Sequence, residues 1–240
     1  MKQIIEYKGG AGFLHNTRKW VSNLFKRNQN KPKHKQPHVQ THAKIASESY
    51  KLPTLRKPTI DGYNYQPHMS HEKRAVYHHT DKNHSIIGHR GTNKSDYDDI
   101  LDDIALATGQ NLRENDRYNE ESKFLKDFKR NNQGTKVSLS GHSLGSAYSS
   151  RLAYDNNLES HGFNEGSSPH PYVLLEHGVH ALNPKINKYH VKSDIISATN
   201  PFPNETIARK GKTSHGIDNF IQGSGIKHSE AFHRIYQILD

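Results

Sequence analysis

The most constraining feature of this chain is a strand-like run that leads directly into a serine flanked by glycines. Residues 136–147 read KVSLSGHSLGSA, in which Gly141, Ser143 and Gly145 form the pattern G-x-S-x-G. Between a strand and a helix, this pattern is typical of a nucleophile elbow, a sharp turn that exposes a serine hydroxyl at the end of a sheet. Glycines are needed because a Cβ on either side of the turn would crowd the adjoining strand and helix. The pattern therefore predicts a strand, a helix, and Ser143 as a nucleophile between them.

Helix and strand patterns alternate along the chain from about residue 60. This alternation predicts a mainly parallel sheet flanked by helices. Together with the elbow, it indicates the α/β class and, within it, an α/β-hydrolase fold with a mainly parallel central sheet. The predicted strands are residues 84–90, 136–140, 179–182 and 189–191, and the predicted helices are 95–108, 115–131, 144–154 and 229–239.

The positive charge of the chain is concentrated at its N-terminal end. Residues 1–58 hold 13 Lys and Arg against 2 Asp and Glu, whereas residues 59–240 hold 21 against 22. We therefore expect a basic arm over 1–58 and a hydrolase domain over 59–240. Residues 13–27 place apolar side chains at helical spacing among basic ones, which predicts an amphipathic helix. Residues 28–58 are expected to form a disordered linker, because polar and basic residues and prolines dominate its first part.

The basic arm leaves several interpretations open. It suits an anionic membrane surface, which residues 13–58 would bind, but its helix can also pack on the main domain. Binding of nucleic acid is less favoured, because no recognised nucleic-acid motif accompanies the basic residues. His34, His38 and His42 recur every four residues, as in a metal-binding strip, but Pro37 argues against a continuous helix there. A solvated basic tail is therefore preferred to a metal site.

Several classes of protein are disfavoured. The chain has no cysteine, which excludes disulfides, thiolate metal sites and a cysteine nucleophile. No apolar run approaches the roughly 20 residues of a transmembrane helix. A signal peptide is not expected, because Glu6 and Lys8 interrupt the only apolar start. We expect a protein made in the cytoplasm that is cytoplasmic, peripheral to a membrane or associated with a virion.

A serine nucleophile on this fold needs an acid and a histidine that follow it along the chain in that order. Asp194 follows the strand-like run YHVKS, and His215 lies in the turn-rich segment KTSHG. His215 would take the proton of Ser143, and Asp194 would fix the imidazole tautomer. His215 is preferred because it lies in a glycine-bounded loop. The competing residues are Asp155 and Asp218 for the acid, and His228 and His233 for the base.

Ester hydrolysis also needs hydrogen-bond donors for the oxyanion, each worth about 2.7–4 kcal/mol of barrier. The N–H of Leu144 is one candidate, because it opens the helix after the nucleophile. Thr92 is the other, since Arg90-Gly91-Thr92 forms a strand–loop junction earlier in the chain. His142, the residue before the nucleophile, is expected to pack beneath the elbow rather than act as a base.

Five segments in this order resemble the class 3 (fungal triacylglycerol) lipase family over residues 76–222: HRGT, SGHSLGSA, HALNPKIN, VKSDIIS and SHGIDNF. The resemblance implies a triad of Ser143, Asp194 and His215 and an oxyanion hole of Thr92 and Leu144, with no metal or cofactor. It also implies an ion pair of Arg90 with Asp102 or Asp103 behind the oxyanion loop. The expected structural supports of the site are Arg90, Gly91, Asp103, Gly141 and Gly145.

The chain departs from the family pattern at His89, Ser146 and Asn183, where the family has an aromatic residue, a Gly or Ala, and a Gly. An H-x-G-F segment is absent, and residues 105–113 are all that remains as a lid. A small or open site favours short-chain esters, lysophospholipids or phospholipids over bulky triacylglycerol.

The predicted function is a serine carboxylic-ester hydrolase that acts on lipid esters, with phospholipase A among the candidates. The alternative is a protein that tethers to a membrane, a nucleic acid or a virion through its basic arm, with a structural hydrolase domain. A protease or thioesterase on the same fold is a third possibility.

Overall fold

The computed structural model describes residues 36–92, 103, 109–168, 170–198, 200, 203, 205–208 and 213–221, all within one compact unit that spans residues 33–240. Its strands are β1 (Thr59–Ile60), β2 (Tyr63–Tyr65), β3 (Arg74–His79), β4 (His84–His89), β5 (Lys136–His142), β6 (Glu159–Phe163), β7 (Ile186–Val191) and β8 (Glu205–Ile207). Its α-helices are α1 (Gln36–Glu48), α2 (Asp116–Asn131), α3 (Leu144–Asn156), α4 (Pro171–Leu182) and α5 (Asp218–Ile221).

The described strands form one eight-stranded sheet in which they lie side by side in chain order. The pairs from β1 to β4 are antiparallel, and the pairs from β4 to β8 are parallel. The α/β fold class predicted from the sequence, a mainly parallel sheet flanked by helices, is confirmed. The predicted strands over 84–90 and 136–140 correspond to β4 and β5, and the predicted helix over 115–131 corresponds to α2.

The order of the strands decides which face each helix covers. Crossovers between parallel strands are almost always right-handed, and the strands from β4 to β8 follow one another in a single direction across the sheet. Helices α2, α3 and α4 therefore lie on the same face, where Leu125, Tyr148 and Val173 pack with Ile87 and Leu139. The opposite face of the sheet must therefore be buried by a segment that does not connect two of these parallel strands.

Helix α1 covers this opposite face together with α5. Val39 and Ala43 pack with Phe163 and Phe220, and Ile45 is fully buried. The prediction of a disordered linker over residues 28–58 is therefore wrong from residue 36 onwards, and the hydrolase domain begins before residue 59.

Hydrophobic patterning did not predict helix α1, because its sequence is polar and contains a proline. Pro37 is the second residue of α1, in the first turn, where a missing N–H removes no intrahelical hydrogen bond. The sheet accepts a polar helix because β5 presents hydroxyls to it: Ser138 Oγ lies 2.7 Å from His42 Nε2, and Ser140 Oγ donates to the His42 carbonyl at 2.8 Å. Polar contacts of this kind leave no hydrophobic stripe in the sequence.

The strand predicted at residues 179–182 is wrong, because these residues end helix α4. The helix begins at Pro171, a residue suited to a first helical position, and His170 Nδ1 accepts a hydrogen bond from the Tyr172 N–H. The segment HALNPKIN consequently joins a helix to β7 and is not a loop between strands. The strand predicted at 189–191 lies within β7.

No helix in the described ranges is long and apolar enough to cross a bilayer. The helices predicted at residues 13–27 and 229–239 lie outside the described residues. The helix predicted at 95–108 also lies outside them, apart from Asp103, which is helical.

Candidate active site

Ser143 occupies the turn between β5 and α3 with φ 57° and ψ −128°, a backbone conformation that costs a non-glycine residue free energy. The turn is this tight because the flanking glycines bring main chains together. A Cβ on Gly141 would overlap the Gly145 carbonyl, and a Cβ on Gly145 would overlap the His89 carbonyl. The Ser143 N–H donates to the Phe163 carbonyl at 3.0 Å, which fixes the turn to β6. At both glycines, the expected supports of the elbow, the absence of a Cβ is what permits these close approaches.

The structure brings the three candidate catalytic side chains into one hydrogen-bonded row. His215 Nε2 lies 2.8 Å from Ser143 Oγ, and His215 Nδ1 lies 3.0 Å and 3.1 Å from the two carboxylate oxygens of Asp194. Because a carboxylate can only accept, the Nδ1 proton faces Asp194 and the Nε2 lone pair faces the serine. This is the arrangement that proton abstraction from a serine requires.

Asp194 is buried and held by a cage of donors. Ser197 donates to it from its hydroxyl at 2.5 Å and from its N–H at 3.3 Å, and the Ile196 N–H donates at 3.2 Å. Burial alone would raise the pKa of Asp194, but the hydrogen bonds from His215 and Ser197 outweigh burial and leave this pKa below its ordinary value. The carboxylate is therefore ionised when it faces the imidazole.

The turn that carries His215 is tied down by side chains from other elements. Asn164 Nδ2 donates to the carbonyls of Ser214 and His215 at 3.2 Å and 3.0 Å, while its Oδ1 accepts from the Val191 N–H at 2.9 Å. Asn219 Nδ2 donates to Thr213 and Gly216 from the other side. Asn164 therefore links the histidine turn to the end of β7, from which the chain continues to Asp194.

His142 lies beneath the elbow, as predicted, and also holds the His215 turn. Its Nε2–H donates to the His215 carbonyl at 2.6 Å, and its Nδ1 accepts from the Tyr50 hydroxyl at 2.7 Å. Burial lowers the pKa of His142 to about 4, so the ring is neutral near pH 7. With one nitrogen donating and the other accepting, Tyr50 and His142 form a chain that ends on the backbone of the candidate base.

The candidate oxyanion donors lie at two junctions beside Ser143. Leu144 opens α3, and the N–H groups of a first helical turn have no intrahelical acceptor. Thr92 follows β4, and its hydroxyl donates to Asp103 Oδ2 at 2.6 Å. A Cβ on Gly91 would overlap the Tyr50 hydroxyl and approach the His142 carbonyl to 2.6 Å, so a glycine lets this loop approach the elbow.

Arg90 is buried behind the oxyanion loop. Its N–H donates to the Lys73 carbonyl at 3.0 Å, and its own carbonyl accepts from Arg117 Nη2 at 2.5 Å. Asp102, one of the two carboxylates expected to pair with Arg90, lies outside the described residues. The described carboxylate, Asp103, accepts from the Thr92 hydroxyl as given above.

The departures from the lipase pattern are accompanied by buried polar partners. His89 Nδ1 contacts Ser149 Oγ at 2.9 Å, and His89 Nε2 lies 3.3 Å from Glu121. Ser146 donates to Glu165 at 3.2 Å. At these two positions, polar side chains with hydrogen-bond partners thus stand where the lipase pattern has an aromatic residue and a Gly or Ala. Asn183 ends α4, where its Oδ1 accepts from the Lys185 N–H.

Sequence reasoning missed three residues that build the site. Tyr50 lies in the segment expected to be disordered, Asn164 follows a strand that was not predicted, and Ser197 follows Asp194 by three residues. Ser197 alone carried a local signal, since a serine three residues after an aspartate can bond back to it. Tyr50 and Asn164 reach the site only through the tertiary fold.

Comparisons with known proteins give a family. A family model described as a Tle-like phospholipase domain, of the phospholipase-like type, matches residues 33–237. Solved structures similar to this chain include a Lip2 lipase from Yarrowia lipolytica (13% identity, TM-score 0.44, 67% of this chain and 73% of that one). Another is the Rhizomucor miehei lipase with its propeptide (15% identity, TM-score 0.46, 76% of each chain). A search of curated protein sequences finds no match.

Proposed function

The chain belongs to the family of Tle-like phospholipase domains, and on that premise we propose that it hydrolyses carboxylic esters of lipids with Ser143 as nucleophile, His215 as base and Asp194 as the orienting acid. The observation that carries the proposal is the hydrogen-bonded row from Ser143 Oγ through both His215 nitrogens to Asp194. A nucleophile within hydrogen-bond reach of a base, with the base in turn oriented by a third group, is the geometry of an activated nucleophile.

In the proposed acylation step, His215 Nε2 accepts the Ser143 proton while Oγ attacks the ester carbonyl carbon. The C=O bond becomes a C–O⁻ bond, and the proton then passes from His215 to the leaving alcohol as the ester bond breaks. In the second half, His215 accepts a proton from water, which attacks the acyl-serine carbonyl, and the proton returns to Ser143 as the fatty acid is released. Asp194 stabilises the imidazolium in both halves, which suits a carboxylate whose pKa lies below its ordinary value.

The developing oxyanion is proposed to bind to the N–H groups of Leu144 and Thr92. The hydroxyl of Thr92 is held by Asp103 at 2.6 Å, which fixes the side chain and leaves the main chain as the donor. Gly91 lets this main chain lie against the elbow. Donors that are already oriented stabilise the transition state without reorganisation.

The proposed substrate class is phospholipid or lysophospholipid, with phospholipase A activity. The description of the family supports a phospholipid rather than a neutral lipid. The basic residues of the N-terminal arm provide further support. Helix α1 is buried in the domain, so within the expected membrane-binding segment 13–58 we place the contact with the bilayer ahead of this helix, in residues 13–35, which hold seven Lys and Arg and no Asp or Glu. Each basic residue close to an anionic bilayer contributes about 1 kcal/mol.

The test compares the wild-type protein with Ser143→Ala on a short-chain p-nitrophenyl ester and then on phosphatidylglycerol vesicles. The released fatty acid and lysophospholipid are identified by mass spectrometry. Ser85→Ala is the matched control, because Ser85 Oγ also bonds to a histidine, His78 Nδ1 at 2.9 Å, away from the elbow. Turnover lost only in Ser143→Ala supports the proposal. Equal turnover in both variants, or none in a folded wild type on either substrate, contradicts it.

A further inference from the structure

Helix α1 and strand β6 place four side chains of metal-binding type against one another. His38 and His42 are four residues apart, so they lie on the same side of α1. Glu159 and His161 are two residues apart on β6 and share one face of the sheet. The buried ring of His42 lies with its centroid 4.1 Å from that of His161. The four groups therefore converge from two elements that are distant in sequence.

The distances within this cluster suit a small cation. Ligand nitrogens of His38, His42 and His161 all lie within 4.8 Å of one another. Glu159 Oε1 lies 3.3 Å from His38 Nε2 and 2.8 Å from His161 Nε2. In a tetrahedral zinc site with Zn–N distances near 2.0–2.1 Å, neighbouring ligand atoms are about 3.3 Å apart. Closing the cluster around an ion requires these ligand atoms to move from within 4.8 Å to about 3.3 Å of one another.

The outer hydrogen bonds of the two buried rings suit ligation through Nε2. His42 Nδ1–H donates to the His38 carbonyl at 2.9 Å, so Nε2 carries the lone pair. Without an ion this lone pair accepts from Ser138 Oγ at 2.7 Å, and binding of an ion would exchange that hydrogen bond for a Zn–N bond. Without an ion, His161 Nε2–H donates to the Glu159 carboxylate at 2.8 Å, because a carboxylate can only accept. When an ion binds Nε2, Nδ1 carries the ring proton instead, and the Tyr189 hydroxyl 3.1 Å away can accept it. Metal-bound histidines almost always donate their second ring N–H in this way.

We propose that His38, His42, His161 and Glu159 bind one Zn²⁺ ion. Three imidazoles and one carboxylate are a donor set suited to zinc, and four protein ligands fill a tetrahedral site without an open position for water. The ion is therefore structural. It links α1 to β6 and so holds α1 on the face of the sheet opposite to α2, α3 and α4. The side chain of His38 is 34% exposed, which gives the ion a path from solvent.

The experiment uses the full chain without an affinity tag, stripped of metal and titrated with Zn²⁺ by calorimetry and with Co²⁺ by visible absorption. The expected results are one ion per chain, the visible bands of four-coordinate Co²⁺, and a higher melting temperature in Zn²⁺, because a ligand that binds the folded state stabilises it. His38→Ala, which changes a partly exposed residue, is expected to stay folded and to lose at least about 100-fold in Zn²⁺ affinity. Glu159→Gln is expected to weaken binding as well.

The matched control is His68→Ala, because His68 is an exposed histidine on the short helix Pro67–Met69, outside the cluster. It is expected to bind Zn²⁺ as tightly as the wild type. The proposal is overturned if Zn²⁺ affinity is the same in the wild type, His38→Ala and Glu159→Gln, or if His68→Ala loses as much as His38→Ala. Should His38→Ala fail to fold, Glu159→Gln and the wild-type Co²⁺ spectrum decide, and a purely octahedral spectrum contradicts the proposal.

Discussion

Asn164 offers the sharpest test of how the fold positions the proposed base. In Asn164→Asp the side chain keeps its size and the Oδ1 that accepts from the Val191 N–H, but it loses the Nδ2–H donors to Ser214 and His215. An aspartate also tolerates the positive φ of 45° at this position. The substitution therefore removes the tie to the histidine turn and places a carboxyl group where the amide stood.

The expected cost follows from these contacts. The lost hydrogen bond to the His215 carbonyl costs about 1 kcal/mol, and the loss of the shorter donor to the Ser214 carbonyl costs about 1–3 kcal/mol. His215 keeps the bond from His142 Nε2, so only the Ser214 carbonyl loses its main donor. The loss of unfolding free energy is then about 2–4 kcal/mol. A displacement of the base by about 1 Å is expected to lower kcat about 100-fold.

The loss of stability should depend on pH in a defined direction. The introduced carboxyl is buried and faces two carbonyl oxygens, so its folded pKa is raised above the unfolded value of about 3.9. A group of this kind destabilises the fold progressively as pH rises through its folded pKa. The difference from wild type is therefore smallest near pH 4 and largest at pH 8, and each pKa unit of rise adds about 1.4 kcal/mol.

The control is Asn187→Asp, because Asn187 Nδ2 also donates to two backbone carbonyls, those of Ser160 and Lys185, both at 3.3 Å, in β7. Urea unfolding at pH 4 and pH 8 measures stability, and kcat on a p-nitrophenyl ester is measured well below both melting temperatures. Both variants should lose stability, whereas only Asn164→Asp should lose kcat. If Asn164→Asp keeps kcat within threefold of wild type, or Asn187→Asp loses as much, the anchoring argument is refuted.

Three further outcomes are expected. Tyr50→Phe should lower kcat roughly fivefold, the equivalent of about 1 kcal/mol for one hydrogen bond to His142, whereas Tyr63→Phe, which loses a similar bond to His84 Nδ1, should leave kcat unchanged. Glu121→Gln should cost about 3–5 kcal/mol in urea unfolding at pH 7, because it removes the buried partner of Arg74. Bonds from His71 and His89 outweigh burial and depress the pKa of Glu121, so this difference should shrink as pH falls below about 4.5; equal differences at pH 7 and pH 4 would contradict the argument. Ile45→Ala should cost about 2–5 kcal/mol, since Ile45 is fully buried on α1, and a melting temperature equal to wild type would show that α1 is not part of the core.

The elbow and its neighbours could be predicted because their signals are local. A strand followed by G-x-S-x-G leaves little conformational choice to Ser143, and the strained turn observed there follows from the two glycines. Asp194 and His215 could be nominated from chain order and turn-rich context, and the structure brings both to Ser143. Their catalytic roles stay predictions that the substitution experiments address.

The helix α1 could not be predicted from hydrophobic periodicity. Its face toward the sheet includes His42, which meets serine hydroxyls on β5 rather than apolar side chains. Polar contacts of this kind are satisfied only by a partner 96 or more residues away, so no local pattern records them. The same reason explains why Tyr50 and Asn164 were missed, since each acts on the site through a hydrogen bond across the fold.

The sequence by itself determined the strand, turn and helix around Ser143 and the mainly parallel sheet, because glycine sterics and short-range periodicity act within a few residues. The tertiary structure alone decided which face each helix covers and which side chains hold the His215 turn. The physical reason is that sequential parallel strands with right-handed crossovers place α2, α3 and α4 on one face. The other face must then be closed by a segment from outside the crossovers, and α1 closes it although its composition resembles a linker.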